Sequence, residues 1–418
     1  MKTKVFVFCL LFGVVGKLFS QNWQVLNSGT TNIISKIHFI NSSNGYISCG
    51  GKIKRTTNGG VTWNTVLDQS IVQWSIHFVN QDIGFAVGYE GSVFKTSNSG
   101  LNWSLTTPAS ANFSAINFTD SNTGYIVGYT STILKTTNGG DNWFTQICPV
   151  VPGYLRDIAF CNNKGYIALN NFNTNLLFTT DAGMTWQDGK VRAGLIQGNA
   201  IIFNGETGYL VGSEYSNSSY QPLIFMTDNN GQNWHEYRLA SLGTLHGVAV
   251  SPIDRNKVCV VGEYFDDSIH GNQGLIMRTS NGGQTWSEEQ CSVKLRSVYA
   301  TATDFYVGGW DGVLLKTSHT VGIVTNNSEA PSCYTLSQNY PNPFNPSTKI
   351  NFSILKAGAV ELTVYNTLGE IVSVLVNQSL RVGTYTYDFD GKNLSSGVYF
   401  YTLQSEGYTD TKSMVLIK

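Results

Sequence analysis

The stretch TTNGGDNW at residues 136–143 belongs to a set of six similar copies along the first three quarters of the chain. The copies occupy residues 56–63, 96–103, 136–143, 179–186, 227–234 and 279–286. The tryptophans that end successive copies lie 40, 40, 43, 48 and 52 residues apart. A period of this size indicates a repeat protein, in which each unit buries its hydrophobic face against its neighbours.

Each copy belongs to a longer unit of short segments. An apolar segment such as SAINFTD (114–120) comes first, a glycine–aromatic segment such as GYIVGY (124–129) second, and a segment such as TILKT (132–136) third. The eight-residue turn follows, and its tryptophan opens a fourth segment. Four short strands per unit of roughly 40–45 residues predict a β-propeller blade, and residues 21–319 accommodate seven blades.

The two ends of the repeat region complement each other. A seventh copy of the turn begins at Thr317 as TSHT and lacks its tryptophan, whereas Trp23 stands near the N-terminus in NWQVLN without a turn before it. We therefore predict that the N-terminal segment supplies the outermost strand of the last blade. Closing the ring in this way would leave no first or last edge strand to pair with other chains.

The N-terminus has the pattern of a secretory signal peptide. Lys2 and Lys4 precede an apolar run at residues 5–15 that is too short to cross a bilayer. We expect residues 1–20 to be removed, and no later segment is apolar for long enough to span a membrane. Charged residues make up 13% of the chain and the net charge is −1, which argues against a nucleic-acid partner. The mature protein is expected to be exported and monomeric.

The mature chain retains six cysteines, at positions 49, 148, 161, 259, 291 and 333, without CxxC spacing. A chain of this length does not need a disulfide scaffold. Two states are open for these cysteines: one bridge, with Cys259 and Cys291 as the pair, or buried free thiols. We expect no metal site and no cofactor.

The repeated turn resembles the Asp-box, or BNR repeat, because all copies share the pattern Ser/Thr-x-Asp/Asn-x-Gly-x-Thr/Asn-Trp. The Asn or Asp side chain accepts backbone N–H bonds, the glycine two residues later tolerates a positive φ, and the tryptophan covers the turn. The resemblance implies a structural role at the blade periphery. The predicted turn residues are Asn58, Asn98, Asn138, Asp181, Asn229 and Asn281, with Trp63, Trp103, Trp143, Trp186, Trp234 and Trp286. Because five of the six copies carry neutral Asn, we expect no metal at the turns.

A glycan hydrolase is the alternative function, since Asp-boxes also occur in sialidases. The sequence differs from sialidases in having seven predicted blades, few arginines and no RIP-like motif before the first blade. Glycosidases otherwise need two facing carboxylates, and Asp157 is the only acid that we can place near a central channel. The sequence therefore favours a protein that is not an enzyme.

Two blade-length strings resemble a different family. GFAVGYEGSVFKTSNSGLNW (84–103) and GYIVGYTSTILKTTNGGDNW (124–143) are similar to blades of the seven-bladed photosystem II assembly and stability factors. The resemblance covers about residues 22–318. It implies a propeller that binds other proteins without catalysis.

The last eighty-five residues follow a different pattern. Residues 320–333 are expected to form a polar linker, and short alternating segments at 334–418 predict a small Ig-like β-sandwich. The strings NYPNPFNPSTKI, YNTLGEIV, LSSGVYFYTL and KSMVLIK resemble the type A sorting domain of the type IX secretion system. The resemblance implies that the secretion machinery is a partner and that the protein is released or attached to the cell surface at the outer membrane. Ig-like modules of flagellar hook-capping proteins are the alternative resemblance.

A ligand site is predicted at one mouth of the channel, where the loops of blades five and six are longest, at 213–222 and 263–274. Alignment of the first strands gives one column of side chains: Ser35, Trp74, Ser114, Arg156, Asn199, His246 and Arg296. Nearby loops add Tyr89, Tyr129, Tyr215, Tyr264 and Trp310. The predicted ligand-binding residues are Trp74, Arg156, Asn199, His246, Tyr264, Arg296 and Trp310, which suit a sugar or a protein hot spot. The alternative is that the aromatic residues only cap strands and the polar column bonds its neighbours.

The sequence thus predicts an all-β protein, a seven-bladed β-propeller followed by an Ig-like β-sandwich. We expect it to be secreted or held at the cell surface. Its expected role is to bind a protein or glycan ligand outside the cell.

Overall fold

The computed structural model describes residues 23–150, 153–161, 163–171, 175–189, 191–192, 194–239, 241–266, 271–317, 324–326, 334–380, 382–392 and 394–418. The predicted signal peptide and Cys333 lie outside these ranges. The chain divides into two compact units, Met1–Ser318 and His319–Lys418. The described residues contain no helix with the length and apolarity of a membrane span.

The first unit consists of four-stranded antiparallel groups, which we call modules 1 to 7 in chain order. Module 1 contains the strands Ile34–Phe39, Gly45–Cys49, Lys52–Thr56 and Asn64–Asp68, and module 2 contains Gln73–Phe78, Gly84–Gly88, Val93–Thr96 and Ser104–Thr106. Module 3 contains Phe113–Phe118, Gly124–Gly128, Ile133–Thr136 and Phe144–Thr145, and module 4 contains Tyr154–Cys161, Lys164–Asn170, Leu176–Thr179 and Gln187–Asp188. Module 5 contains Ile196–Asn204, Thr207–Ser216, Ser219–Thr227 and His235–Arg238, and module 6 contains Gly243–Val250, Val258–Asp266, Gly271–Thr279 and Ser287–Cys291. Module 7 contains Leu295–Ala300, Phe305–Gly309, Leu314–Thr317 and, from the N-terminus, Trp23–Val25. Two single-turn 3-10 helices, Tyr89–Gly91 and Trp310–Gly312, follow second strands.

The modules contact one another in a closed series. The first strand of each module contacts the first strand of the next, and that of module 7 contacts that of module 1. Modules 4 and 5 also share one sheet through the pair Asn170 and Gln197. The second strands of modules 1, 2, 3 and 7 are buried at every residue, as expected for strands covered on both faces.

The N-terminal strand closes module 7, which confirms the predicted source of its outermost strand. Trp23 pairs with Thr317 and Gln24 with Lys316. The pair Gln24 and Lys316 corresponds to Phe144 and Lys135 in module 3, since Gln24 and Phe144 each follow the tryptophan of their segment. The Trp23 side chain is buried, and its Nε1 donates to Glu289 Oε2 at 2.9 Å in module 6. The closing strand is therefore joined to two modules rather than one.

The eight-residue turns share one hydrogen-bond pattern, which residues 136–143 illustrate. Thr136 Oγ1 donates to Asn138 Oδ1 at 2.9 Å and accepts the Gly140 N–H at 2.9 Å. Asn138 Oδ1 also accepts the Asn142 N–H at 3.0 Å. The other five copies repeat all three bonds. Gly140 has a φ of 80°, and a Cβ there would lie 2.6 Å from the Phe85 ring of module 2.

The turns also connect neighbouring modules, a role that the sequence did not reveal. Tyr46, on the second strand of module 1, donates from its hydroxyl to the Ser99 carbonyl in the turn of module 2 at 2.8 Å. The same bond joins Tyr125 to Ala182, Tyr166 to Asn230, and Tyr306 to Gly59 across the junction of modules 7 and 1. Burial raises the pKa of Tyr125 to about 12, so this phenol remains a donor at physiological pH.

Substitution in a turn is expected to lower stability in proportion to what the side chain contributes. Asn138→Ala should reduce the free energy of unfolding by about 1 kcal/mol through the lost hydrogen bonds. Trp186→Ala should reduce it by roughly 3–5 kcal/mol, because the indole is buried. Chemical denaturation measures both changes, with Phe144→Ala, an exposed side chain, as the control. Equal losses in Trp186→Ala and Phe144→Ala would contradict this account.

The second unit contains two antiparallel sheets. The first sheet contains, in spatial order, Val324–Asn326, Gly383–Asp390, Ser347–Ile354 and Thr335–Leu336. The second contains Ile371–Leu380, Gly358–Tyr365, Gly397–Ser405 and Tyr408–Leu416. Residues of both sheets, including Phe352 and Tyr401, form one hydrophobic cluster. Val324–Asn326 falls within the predicted linker, 320–333, and pairs antiparallel with Thr384–Thr386 of this unit.

The structure shows the oxidation state of Cys259 and Cys291, the two cysteines for which a bridge was an open alternative. Cys259 and Cys291 are both buried free thiols, so the alternative of a bridge between them was wrong. Burial raises the pKa of Cys259 to about 12 and that of Cys291 to about 11. Both therefore stay protonated and act as small apolar side chains.

Candidate functional site

A β-bulge occurs at the same place in the first strand of every module. The pairing with the second strand shifts at one residue, for example between Leu155 and Asp157 in module 4 and between Leu295 and Ser297 in module 7. The seven residues at the bulges are Ser35, Trp74, Ser114, Arg156, Asn199, His246 and Arg296. A bulge re-aims the side chain of its extra residue. The column that the sequence alignment picked out is therefore a set of bulge residues.

All seven bulge residues line one cavity of about 310 Å³. Tyr89, Tyr129 and Trp310 from the loops line it too. The sequence did not single out other lining residues, among them Lys36, Asn112 and Ser297. The structure thus brings together six of the seven predicted ligand-binding residues.

Tyr264 is the predicted ligand-binding residue that lies elsewhere. It does not occur among the described residues that line the cavity, and its hydroxyl donates to Gln290 Oε1 at 3.1 Å. Tyr215 also lies outside the lining and packs against Tyr220 at the tip of its hairpin, with both rings exposed. Side chains alternate along a strand, so the residue beside Tyr264, Glu263, faces the other way, toward His246.

Two arginines of the cavity stack against aromatic rings. The Arg156 guanidinium carbon lies 5.5 Å from the Tyr129 ring centre, and Arg156 Nη1 donates to the Tyr129 hydroxyl at 3.2 Å. The Arg296 guanidinium carbon lies 5.7 Å from the Trp74 ring centre. Arg156 Nε is buried without a hydrogen-bond partner. Burial, and then the charge of Arg156, lower the pKa of Arg296.

His246 connects Arg296 to an acid outside the cavity. Arg296 Nη1 lies 3.2 Å from His246 Nδ1, and His246 Nε2 lies 3.6 Å from Glu263 Oε1. Burial lowers the pKa of His246 against the opposing effect of Glu263. Burial alone would raise the pKa of Glu263, but His246 and Lys294 outweigh it and hold it at about 2. A neutral His246 therefore accepts from Arg296 at Nδ1, and its Nε2 faces the Glu263 carboxylate, so the arginine is oriented by the histidine.

Asp157 is the one carboxylate among the described residues of the cavity wall, and its oxygens are occupied. Oδ1 accepts the N–H of Ile158 at 3.0 Å and Oδ2 that of Ile201 at 3.1 Å. Lys36 Nζ, from module 1, lies 4.0 Å from Oδ1. Lys36 is therefore paired, whereas the two arginines have no carboxylate partner on the described wall.

No group of three or more His, Cys, Asp or Glu side chains in the described part of the chain is placed to hold a metal ion. The turn residue Asp181 has a lowered pKa because it accepts hydrogen bonds from the Thr179 side chain and from Thr185. Its oxygens are thereby used within the turn.

Two histidines, His38 and His77, lie further along the first strands of modules 1 and 2, and His38 also packs against Tyr299. The ring centres of His38 and His77 are 5.2 Å apart, and His38 Nε2 accepts the Phe78 N–H at 3.2 Å. Burial, and then Lys36, lower the pKa of His77 to about 4. Burial, then His77 and Lys36, lower that of His38. Both histidines are neutral in the folded protein at pH 7.

We expect the first unit to lose stability as the pH falls from 6.5 toward 4. Because the folded pKa of His77 lies below the unfolded value, the unfolded chain binds more protons in this window, and the stability is fully present only above it. The shift corresponds to at most about 3 kcal/mol. His77→Asn, which copies Asn117 at the same position of module 3, should flatten the pH dependence of the melting temperature. His235→Asn, at an exposed site, should not, and equal behaviour of the two variants would contradict the prediction.

Two family models match the sequence. The photosynthesis system II assembly factor YCF48 model matches residues 65–154 and 104–252, and the secretion system C-terminal sorting domain model matches residues 338–418. Both resemblances drawn from the sequence are thereby confirmed. The sorting-domain match indicates a secreted or cell-surface protein. The sequence has no match among curated proteins.

Solved structures share the fold at low identity. YCF48 bound to D1 peptide is 17% identical, with a TM-score of 0.55 over 72% of this chain and 98% of that one. The GH74 enzyme of Niastella koreensis is 12% identical, with a TM-score of 0.59 over 94% of this chain and 74% of that one. The WD40 β-propeller domain of Doa1 is 12% identical, with a TM-score of 0.53 over 72% of this chain and 96% of that one. At these identities the likeness establishes an all-β fold of the propeller kind and nothing about activity.

Proposed function

We propose that the protein is an exported, non-catalytic binding protein whose ligand site is the cavity lined by the bulge residues. Its first unit is a seven-bladed β-propeller in which modules 1 to 7 are the blades, and its second unit is an Ig-like β-sandwich that the type IX secretion machinery recognises. The ligand is a protein or glycan outside the cell, and the mature chain acts as a monomer in the medium or at the outer membrane.

The observation that carries this proposal is the convergence of the seven bulges on one cavity. A bulge interrupts the strand ladder and leaves one residue unpaired, so seven aligned bulges have a cost in each module. The resulting wall combines two arginines, two tryptophans and two tyrosines with a small number of amide and hydroxyl groups. Convergent polar groups among aromatic rings are typical of ligand sites.

A glycan hydrolase is the second candidate, and the GH74 structure favours it to the extent that a related fold carries that activity. Hydrolysis by the usual mechanism needs two carboxylates about 5–10 Å apart across the scissile bond. The described wall of the cavity contributes Asp157 alone, and its oxygens accept two backbone N–H groups beside Lys36. The cavity is therefore suited to hold a ligand rather than to cleave one.

Binding assays on the mature chain test the proposal. The chain is immobilised and offered a panel of glycans and extracellular proteins, and the products are checked for cleavage. Trp310→Ala combined with Arg296→Ala should abolish capture of whatever ligand binds, with an unchanged circular dichroism spectrum. Tyr264→Ala, outside the cavity, is the matched control and should bind as the parent does. Cleavage of a bound glycan, or normal binding by the double variant, would overturn the proposal.

A further inference from the structure

We infer that the cavity recognises an acidic sugar unit, a pyranose ring that bears a carboxylate, in a glycan chain. This inference rests on the proposed function, since it names the ligand class of the same site. The alternative occupant with an anionic end, a polypeptide with a free C-terminal carboxylate, is an outcome of the test below.

The first argument is charge. The described wall carries Lys36, Arg156 and Arg296 against the single carboxylate of Asp157, which Lys36 already neutralises. Arg156 and Arg296 therefore face a small cavity with no carboxylate partner among its described lining residues. Buried charges are costly unless they are paired, and arginine binds carboxylates in a planar, two-pronged arrangement. An anion between Arg156 and Arg296 would relieve the repulsion between them.

The second argument is that one donor of this pair is unused. Arg156 Nη1 donates to the Tyr129 hydroxyl, while Arg156 Nε is buried without a partner. Arg296 is held in place through His246 and Glu263. Holding both guanidinium groups before the ligand arrives lowers the conformational cost of binding. The site is thus organised for a carboxylate in advance.

The third argument distinguishes a sugar from a peptide. A ring with several hydroxyl groups needs polar partners beyond the carboxylate, and Ser35, Asn112, Ser114 and Asn199 all line the cavity. Ser114 Oγ is buried without a hydrogen-bond partner, a position that a ring hydroxyl could fill. Four aromatic side chains on the wall, Trp74, Tyr89, Tyr129 and Trp310, offer apolar surface to the C–H face of a sugar.

Size agrees with one sugar unit. The cavity volume of about 310 Å³ lies at the lower limit of small-molecule sites, roughly 300–1,000 Å³. A folded polypeptide element does not fit in such a volume. A single acidic unit of a longer glycan does, with its neighbours extending into solvent.

Calorimetric titration of the mature chain tests the inference with defined probes. These are trigalacturonate, sialyllactose, the neutral sugars maltotriose and lactose, and a tripeptide as free acid and as amide. At least one acidic sugar should bind, and its neutral counterpart should bind at least tenfold more weakly. Affinity should also fall with rising salt, because the contact is ionic.

Variants locate the contact. Arg156→Gln and Arg296→Gln should each weaken binding of the acidic sugar at least tenfold, and Ser114→Ala should weaken it severalfold. Lys52→Gln, which removes an exposed positive charge that is not among the described residues of the cavity wall, is the matched control and should not. Melting curves identify any variant that fails to fold. In that event Ser114→Ala, together with competition by free galacturonate on the parent protein, decides.

The outcomes distinguish a failure of the inferred ligand class from a failure of the proposed binding function. Equal binding of acidic and neutral sugars, or preference for the free-acid tripeptide, overturns the inference, and the binding function stands. Binding of no probe by a folded parent also overturns it. Binding of an acidic sugar that Arg156→Gln and Arg296→Gln leave unchanged places the ligand elsewhere and overturns both.

Discussion

Removal of residues 21–28 is expected to lower the melting temperature of the chain by about 10 °C or more. The deletion removes the strand Trp23–Val25, which forms the outer edge of module 7, and exposes the backbone of Leu314–Thr317. It also removes the buried Trp23 ring, over which Arg278 of module 6 lies at 5.5 Å, and leaves Glu289 without the indole N–H. An exposed sheet edge promotes association between chains.

Calorimetry and light scattering measure the two consequences, lower stability and aggregation. Trp23→Ala should reproduce much of the loss of stability without exposing the edge, because its backbone pairing is retained. Val25→Ala, at a partly exposed position of the same strand, is the control and should change little. An unchanged melting temperature in the deletion variant would mean that the pairing with Thr317 does not hold the ring closed.

Truncation after Ser318 is expected to abolish secretion while leaving the propeller folded. The cut falls between the two units and removes the match to the sorting domain together with Val324–Asn326, which pairs within the second unit. The truncated chain should accumulate in the periplasm with an unchanged melting transition for the first unit. Immunoblots of periplasm, outer membrane and medium make the measurement.

A fusion supplies the matched control for this truncation. Residues 319–418 attached to an unrelated exported reporter should carry the reporter to the medium or the cell surface. The truncated chain found outside the cell at the normal level would refute the sorting role. A fusion that stays in the periplasm would show that the propeller itself contributes to recognition.

Periodicity is the reason that much of the fold could be predicted from the sequence. Each turn marks the same point in its module, so residues at equal sequence distances from their turns occupy equivalent strand positions. Trp23 stood out because a turn tryptophan was missing after Thr317, and the two segments do pair. The same offsets placed Arg156 and Arg296 in one column, and both line the cavity.

Features without a periodic counterpart escaped prediction. Glu263 and Tyr264 lie on a hairpin that is longer than in most modules, so alignment assigns them no equivalent and cannot tell which of them faces His246. The bulges are shifts in the backbone pairing of two strands, and no particular residue type marks them in the sequence. The bond from Tyr46 to Ser99 joins residues 53 positions apart, and the sequence presents that tyrosine only as one more aromatic residue.

Under the proposed binding function, the seven bulges separate the residues that would contact the ligand from those that determine the fold. Because the bulge residues take no part in the register between first and second strands, their identities can vary without altering the pairing that surrounds them. A library randomised at Ser35, Trp74, Ser114, Arg156, Asn199, His246 and Arg296 should therefore yield mostly folded variants with altered selectivity. Positions whose side chains contact each other, such as Trp74, His246 and Arg296, should then vary together, whereas positions without such contacts should vary separately.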